Sequence, residues 1–160
     1  MQIQKSFQAI ASLLIVAACV HPSNAQSTSA TTSAAAAPEY LVPYGAPTRP
    51  FSPAVRYGGF LFLAGQLGTK PDASGGVVPG GIKEETRQAL ENIRDVLAKS
   101  GSSMDRVVKC TVFLADMSEW GAMNEVYVTF FPKNRPARSA MGVNGLALNG
   151  KVEIECIAAA

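Results

Sequence analysis

Three side chains in the second half of the chain are of types that can act on a small organic acid. Arg138 ends the run Arg135-Pro136-Ala137-Arg138, where proline fixes the backbone just ahead of it. A planar guanidinium held at a fixed place suits a carboxylate bidentately. Glu153 stands on the polar face of an apolar C-terminal segment, two residues from Glu155, and a carboxylate there can position or deprotonate a water. Asn124 lies within a helical stretch that disfavours asparagine and offers a ligand both a donor and an acceptor. Read singly, each has a plainer counterpart: a surface arginine, the solvent face of an edge strand, a helix residue turned to water.

Composition removes much competing chemistry. The 14 Lys+Arg against 12 Asp+Glu leave a net charge of +2, without the clustered basic residues that a nucleic-acid partner requires. The single histidine, His21, lies in an N-terminal segment expected to be removed. A Ser-His-Asp triad, a Cys-His dyad and a His-ligated zinc site therefore have no histidine to use. The glycine-rich stretch 70–81 lacks the Gly-Lys-Ser/Thr ending of a phosphate loop and reads as a mobile hairpin loop. Cys110 and Cys156 fall on apolar strand faces and are expected as two buried thiols. Pairing stays open, because the sequence does not give their separation.

The elements that must hold these residues follow from hydrophobic period. Ala54–Tyr57 is a short strand, and Phe60–Ala64 a continuous apolar run that predicts a strand covered on both faces. Apolar residues spaced by three and four predict a helix from Ile82 to Lys99, with Gly101 at its stop. Val107–Leu114 alternates as a strand. Ser118 is the expected cap of a second helix, 119–131, which carries Asn124 and an aromatic side of Trp120, Tyr127 and Phe130 or Phe131. Ala137–Val143 and Val152–Ala158 complete an order β-β-α-β-α-β-β. That order predicts an α+β fold with both helices on one face of the sheet.

The N-terminal third reads differently. Residues 1–25 resemble a secretory signal: Lys5, an apolar run from Ala9 to Val20, then Ser23-Asn24-Ala25 for cleavage. Val16-Ala17-Ala18-Cys19 also has the form of a lipobox, in which Cys19 would carry lipid and a membrane anchor. Either route predicts export, to the periplasm or beyond. Residues 26–46 begin with an uncharged Ser/Thr/Ala tract expected to be a flexible spacer, and 47–160 is the expected folded domain, starting near Tyr40 to Phe51.

Six blocks in order resemble the RidA (reactive intermediate deaminase, YjgF-like) family. They are Phe60-Leu61-Phe62-Leu63-Ala64-Gly65-Gln66-Leu67; Thr86-Arg87-Gln88-Ala89-Leu90-Glu91-Asn92-Ile93; the segment from Val107 to Met117; Asn124-Glu125-Val126-Tyr127; Pro136-Ala137-Arg138-Ser139; and Val152-Glu153-Ile154-Glu155-Cys156-Ile157-Ala158. The resemblance implies a chorismate-mutase-like α+β domain, assembled as a homotrimer with clefts between subunits. It implies a cofactor-free, metal-free hydrolysis of 2-imino acids to 2-oxo acids and ammonia. By the same resemblance Arg138 binds the substrate carboxylate, Glu153 positions the attacking water, and Asn124 and Gly65 line the cleft. Three implied cleft positions depart from the family's polar residues: Phe51 stands for a tyrosine, Ala64 for a serine and Ala140 for a cysteine. A non-catalytic module that holds a small 2-oxo acid, and a holdase-like chaperone acting through apolar surface, are the alternatives.

Overall fold

A computed structural model describes residues 37–45, 49–70 and 75–160. The expected signal at 1–25, with Cys19, and the first part of the spacer lie outside them. Seven strands form one mixed sheet. They are β1 (Glu39–Leu41), β2 (Ala54–Tyr57), β3 (Phe60–Leu63), β4 (Gln66–Leu67), β5 (Val107–Leu114), β6 (Ala137–Gly142) and β7 (Val152–Ala159). The order across the sheet is β1-β2-β3-β7-β5-β6, with β4 also paired to β7. All pairs are antiparallel except β5 with β6, which are joined by the crossover helix α2 (Trp120–Phe130). With the long helix α1 (Ile82–Lys99), this is the α+β architecture expected.

Helix α1 buries the face that its periodicity predicts. Ala89, Leu90, Ile93 and Leu97 are fully buried, and each large side chain contributes about 1.5–3 kcal/mol by leaving water. The helix ends in a Schellman turn. Gly101, at φ +82°, donates to the Ala98 carbonyl, and Ser102 donates to that of Leu97. Facing it, Val152, Ile154, Cys156 and Ala158 of β7 and Cys110, Val112 and Leu114 of β5 are buried, every second residue of each strand.

Four expectations change. Phe60 and Phe62 are each 42% exposed, so β3 is covered on one face only within the chain, because both helices lie on the other. Ser118 does not cap α2; Asp116 accepts from the Ser118 N–H at 2.8 Å and starts a short 3-10 turn, Met117–Glu119, ahead of the helix. Structured chain starts within the expected spacer: β1 pairs with β2, Arg56 binds Glu39 at 2.6 Å, and Tyr44 donates to Asp95 at 2.8 Å. The glycine-rich stretch is no such change: an antiparallel bridge between Thr69 and Val77 agrees with the expected hairpin, with 71–74 outside the described residues.

The fourth change concerns the cysteines. Cys110 and Cys156 face each other across β5 and β7 and form a disulfide, not two thiols. The register brings their Cα atoms to 4.1 Å, a juxtaposition that depends on long-range pairing. Closing a loop across a sequence separation of 46 restricts the unfolded chain by about 2–4 kcal/mol. We expect Cys110→Ala/Cys156→Ala to lower the free energy of urea unfolding by that amount. Reductant should lower the wild-type midpoint and leave the double variant's unchanged; equal midpoints for all three would show that the cross-link is absent or without effect.

Candidate functional site

Parity along the strands decides where the chemical groups go. Arg138 is in register with Cys110, whose side chain is buried on the helix side, so its guanidinium emerges on that side at the β6 edge. There it lies over the Tyr127 ring at 4.6 Å and near the Trp120 ring at 5.9 Å. These cation–π contacts hold a positive charge without neutralising it. The Tyr127 hydroxyl is buried without a hydrogen-bond partner among the described residues. Burial pushes its pKa up to about 12, against the opposing pull of Arg138, so the ring stays neutral at physiological pH.

Asn124 joins Arg138 in lining an open cavity of about 370 Å³, with Tyr127, Val128, Arg135 and Pro136. The spacing of Asn124 and Tyr127, three residues apart on α2, puts both on one side of the helix. Ala140 shares the face of Arg138 two residues along β6, in register with Val112. Sequence reasoning does not reach Arg135, Tyr127, Trp120 and Val128 as site residues. The available signal was a second arginine beside Pro136, with no acid nearby in sequence.

Glu153 lies on the opposite face of the sheet. It pairs with Phe113 of β5 and Leu67 of β4, on the odd-numbered side of β7 away from the helices. Between Phe62↔Ile157 and Gln66↔Ile154 the β3–β4 side carries one residue more than β7. That bulge re-aims the local side chains and brings Gly65 against the carboxylate. A Cβ on Gly65 would fall 1.9 Å from Glu153 Oε1, so only glycine admits the carboxylate there. Ala64 adjoins it, donating its N–H to the Pro53 carbonyl at 3.0 Å. Phe51, 46% exposed, lies two residues before Pro53.

Burial raises the Glu153 pKa above its ordinary 4.5, and Glu155 on the same face raises it further. Two side chains of α1, Asn92 half-buried and Glu85 buried, fix the surrounding backbone. Asn92 of α1 donates to the carbonyls of Leu67 and Thr69 at 3.1 and 2.9 Å, fastening β4. Glu85, 4% exposed, accepts from the Lys151 N–H at 2.7 Å, anchoring the chain as it enters β7.

Six of the seven site residues thus form two groups, Arg138, Asn124 and Ala140 on one face and Glu153, Gly65 and Ala64 on the other; Phe51 is joined to the second only through the chain at Pro53. One chain does not bring Arg138 and Glu153 together.

The family described as Endoribonuclease L-PSP matches residues 44–160. A RutC family protein of Pyrococcus horikoshii is 46% identical over 112 residues, covering 70% of this chain and 88% of the relative. The mouse 2-iminobutanoate/2-iminopropanoate deaminase is 45% identical over 109 residues, covering 68% of this chain and 80% of the relative. Among solved structures, RidA from an Antarctic Psychrobacter superposes with a TM-score of 0.67 at 36% identity, covering 72% and 92% of the two chains. A Rid family protein of Yersinia pestis gives 0.71 at 33%, covering 78% and 100%. Agreement in sequence along residues 44–160, and in fold with these proteins, establishes that the chain belongs to the RidA (YjgF-like) family, the Endoribonuclease L-PSP group.

Proposed function

We propose that the protein hydrolyses reactive 2-imino acids to 2-oxo acids and ammonia, at a cleft completed between copies of the chain. The observation that carries this is an unneutralised guanidinium, Arg138, set on aromatic rings beside Asn124 in an open cavity. Relatives named as imine deaminases support it. The separation of Arg138 from Glu153 by the sheet supports a shared cleft, with one chain giving the carboxylate anchor and a neighbour giving the base. The open face that carries Phe60 and Phe62 is apolar surface suited to assembly; the family resemblance makes that assembly a homotrimer.

In this reading Arg138 grips the substrate carboxylate bidentately. Water bound to Glu153 attacks the C=N carbon, and its proton passes to the carboxylate. Returned to the nitrogen, that proton gives a neutral carbinolamine; its hydroxyl proton then passes through the carboxylate to the same nitrogen as the C–N bond breaks, so that ammonia leaves and the C=O forms. An imine carbon is already electrophilic, so placement of two groups supplies most of the acceleration. Phe51, Ala64 and Ala140 make the walls less polar than the family's. We also place the protein outside the reducing cytoplasm, through the export segment at 1–25 or a lipid on Cys19. The Cys110–Cys156 cross-link supports that placement, since such bonds persist in oxidising compartments.

The competing reading is a 2-oxo acid binding module, favoured by the three apolar cleft positions. With 2-iminopropanoate generated in situ, Arg138→Ala should lower kcat/KM at least ~100-fold, the loss of a charge-assisted carboxylate contact of about 3 kcal/mol. Saturable binding of 2-oxo acids without any turnover by the wild type would select the module instead. A stable monomer in light scattering would remove the shared cleft.

Glu153 supplies a separate test. As base it must be ionised, so kcat/KM should fall on the acid side of a midpoint above 4.5, tenfold per pH unit. Glu155→Gln should move that limb to lower pH, and Glu153→Gln should reduce kcat ~100-fold or more and abolish the limb. Because its folded-state pKa is raised, ionisation of Glu153 costs stability as pH rises through that pKa. Glu153→Gln should therefore be no less stable than wild type at pH 7. An acid limb unchanged in Glu155→Gln would dissociate it from Glu153.

A further inference from the structure

The cavity that holds Arg138 also holds a second guanidinium with no assigned role. Arg135 lines it together with Arg138, Asn124, Tyr127, Val128 and Pro136, and no carboxylate contributes to the lining. Neither arginine takes part in an ion pair among the described residues, whereas Arg56, Arg87 and Arg94 each do. The two are unlike in environment: Arg138 is half-buried on its aromatic rings, and Arg135 is exposed. Pro136 restricts both its own φ and the backbone of Arg135 to extended geometry. Their Cα atoms are thereby spaced by up to roughly 10 Å of extended chain, and their side chains turn to one cavity. Two like charges converging on one open space without a counter-ion repel each other, and a ligand with two separated negative groups relieves that repulsion.

We propose that Arg135 makes this site selective for imino acids that carry a second carboxylate, and for the matching 2-oxo diacids. This rests on the reading of Arg138 as the carboxylate anchor. Arg138 takes the carboxylate next to the reacting carbon, and Arg135 takes the distal one. Asn124 stands between them in function, able to donate to either acid or to the group on the reacting carbon. Tyr127, Val128 and Pro136 enclose the short methylene chain that joins the two acids.

Trp120, the chain's only tryptophan, lies 5.9 Å from the Arg138 guanidinium and reports occupancy without turnover. We would titrate four- and five-carbon 2-oxo diacids, and 2-oxobutanoate as the monoacid, against the full assembled protein at fixed ionic strength. Trp120 fluorescence and calorimetry would be read together. The wild type should bind a diacid at least tenfold more tightly than the monoacid. Arg135→Gln, a change at an exposed position, should erase that preference and keep the monoacid Kd within twofold; Arg138→Gln should weaken both. Equal diacid and monoacid affinities in the wild type, or a preference that survives in Arg135→Gln, would overturn the assignment of Arg135 while leaving Arg138 in place. Failure of all these acids to bind would sink the anchor itself, and the diacid proposal with it.

Discussion

Alternation along β7 governs where every chemical group ends up. This strand is paired on both flanks, to β3 and β4 on one side and β5 on the other, so neither its register nor its facing can slip without exposing the core. Val152, Ile154, Cys156 and Ala158 are spent on packing against the helices. Glu153 and Glu155 are thereby sent to the other face. The same parity passes through β5 into β6, where it sends Arg138 to the helix side. The disulfide lies on this chain of pairing, joining the two central strands at the rung that also holds Arg138.

On each face a different device holds a charged group without an ion-pair partner among the described residues. Tyr127 and Trp120 steady Arg138 through ring quadrupoles, which attract a cation without offering it a proton acceptor. Glu153 is held in place by steric room: the bulge and Gly65 open a slot for its carboxylate, and partial burial makes that carboxylate a stronger base. The anchors of that slot are far away in sequence, since Asn92 and Glu85 both belong to α1. A helix that reads as a packing element thus also fixes the backbone around the candidate base.

Much of this was legible beforehand. The limits of α1 followed from its apolar spacing and Gly101, and the facing of Glu153 from strict alternation between Val152 and Cys156. What was not legible had several causes. The side taken by Arg138 depends on its register with Cys110, and the disulfide depends on Cys110 meeting Cys156; both are long-range pairings with no local trace. Phe60–Leu63 reads as doubly covered because an unbroken apolar run carries no parity, yet one chain covers only Leu61 and Leu63. Glu39–Leu41 is too short and too close to the alanine-rich tract to announce a strand. Asp116 displaced Ser118 as cap because a carboxylate just before the turn accepts the Ser118 N–H, two residues on, as readily as a hydroxyl does.

Keeping Arg138 and Glu153 on opposite faces has a chemical consequence. Side by side in one chain, the two would form an ion pair. The arginine would then meet substrate already neutralised, and the glutamate would have its pKa lowered and lose basicity. Placed apart, each keeps its unmet charge: among the described residues Arg138 has rings but no acid, and Glu153 has a like-charged neighbour but no cation. In the shared cleft we propose, the substrate itself separates the two, its carboxylate against the guanidinium and its imine carbon toward the water on Glu153. The sheet therefore does more than position side chains; by parity it keeps Arg138 and Glu153 of one chain from pairing with each other.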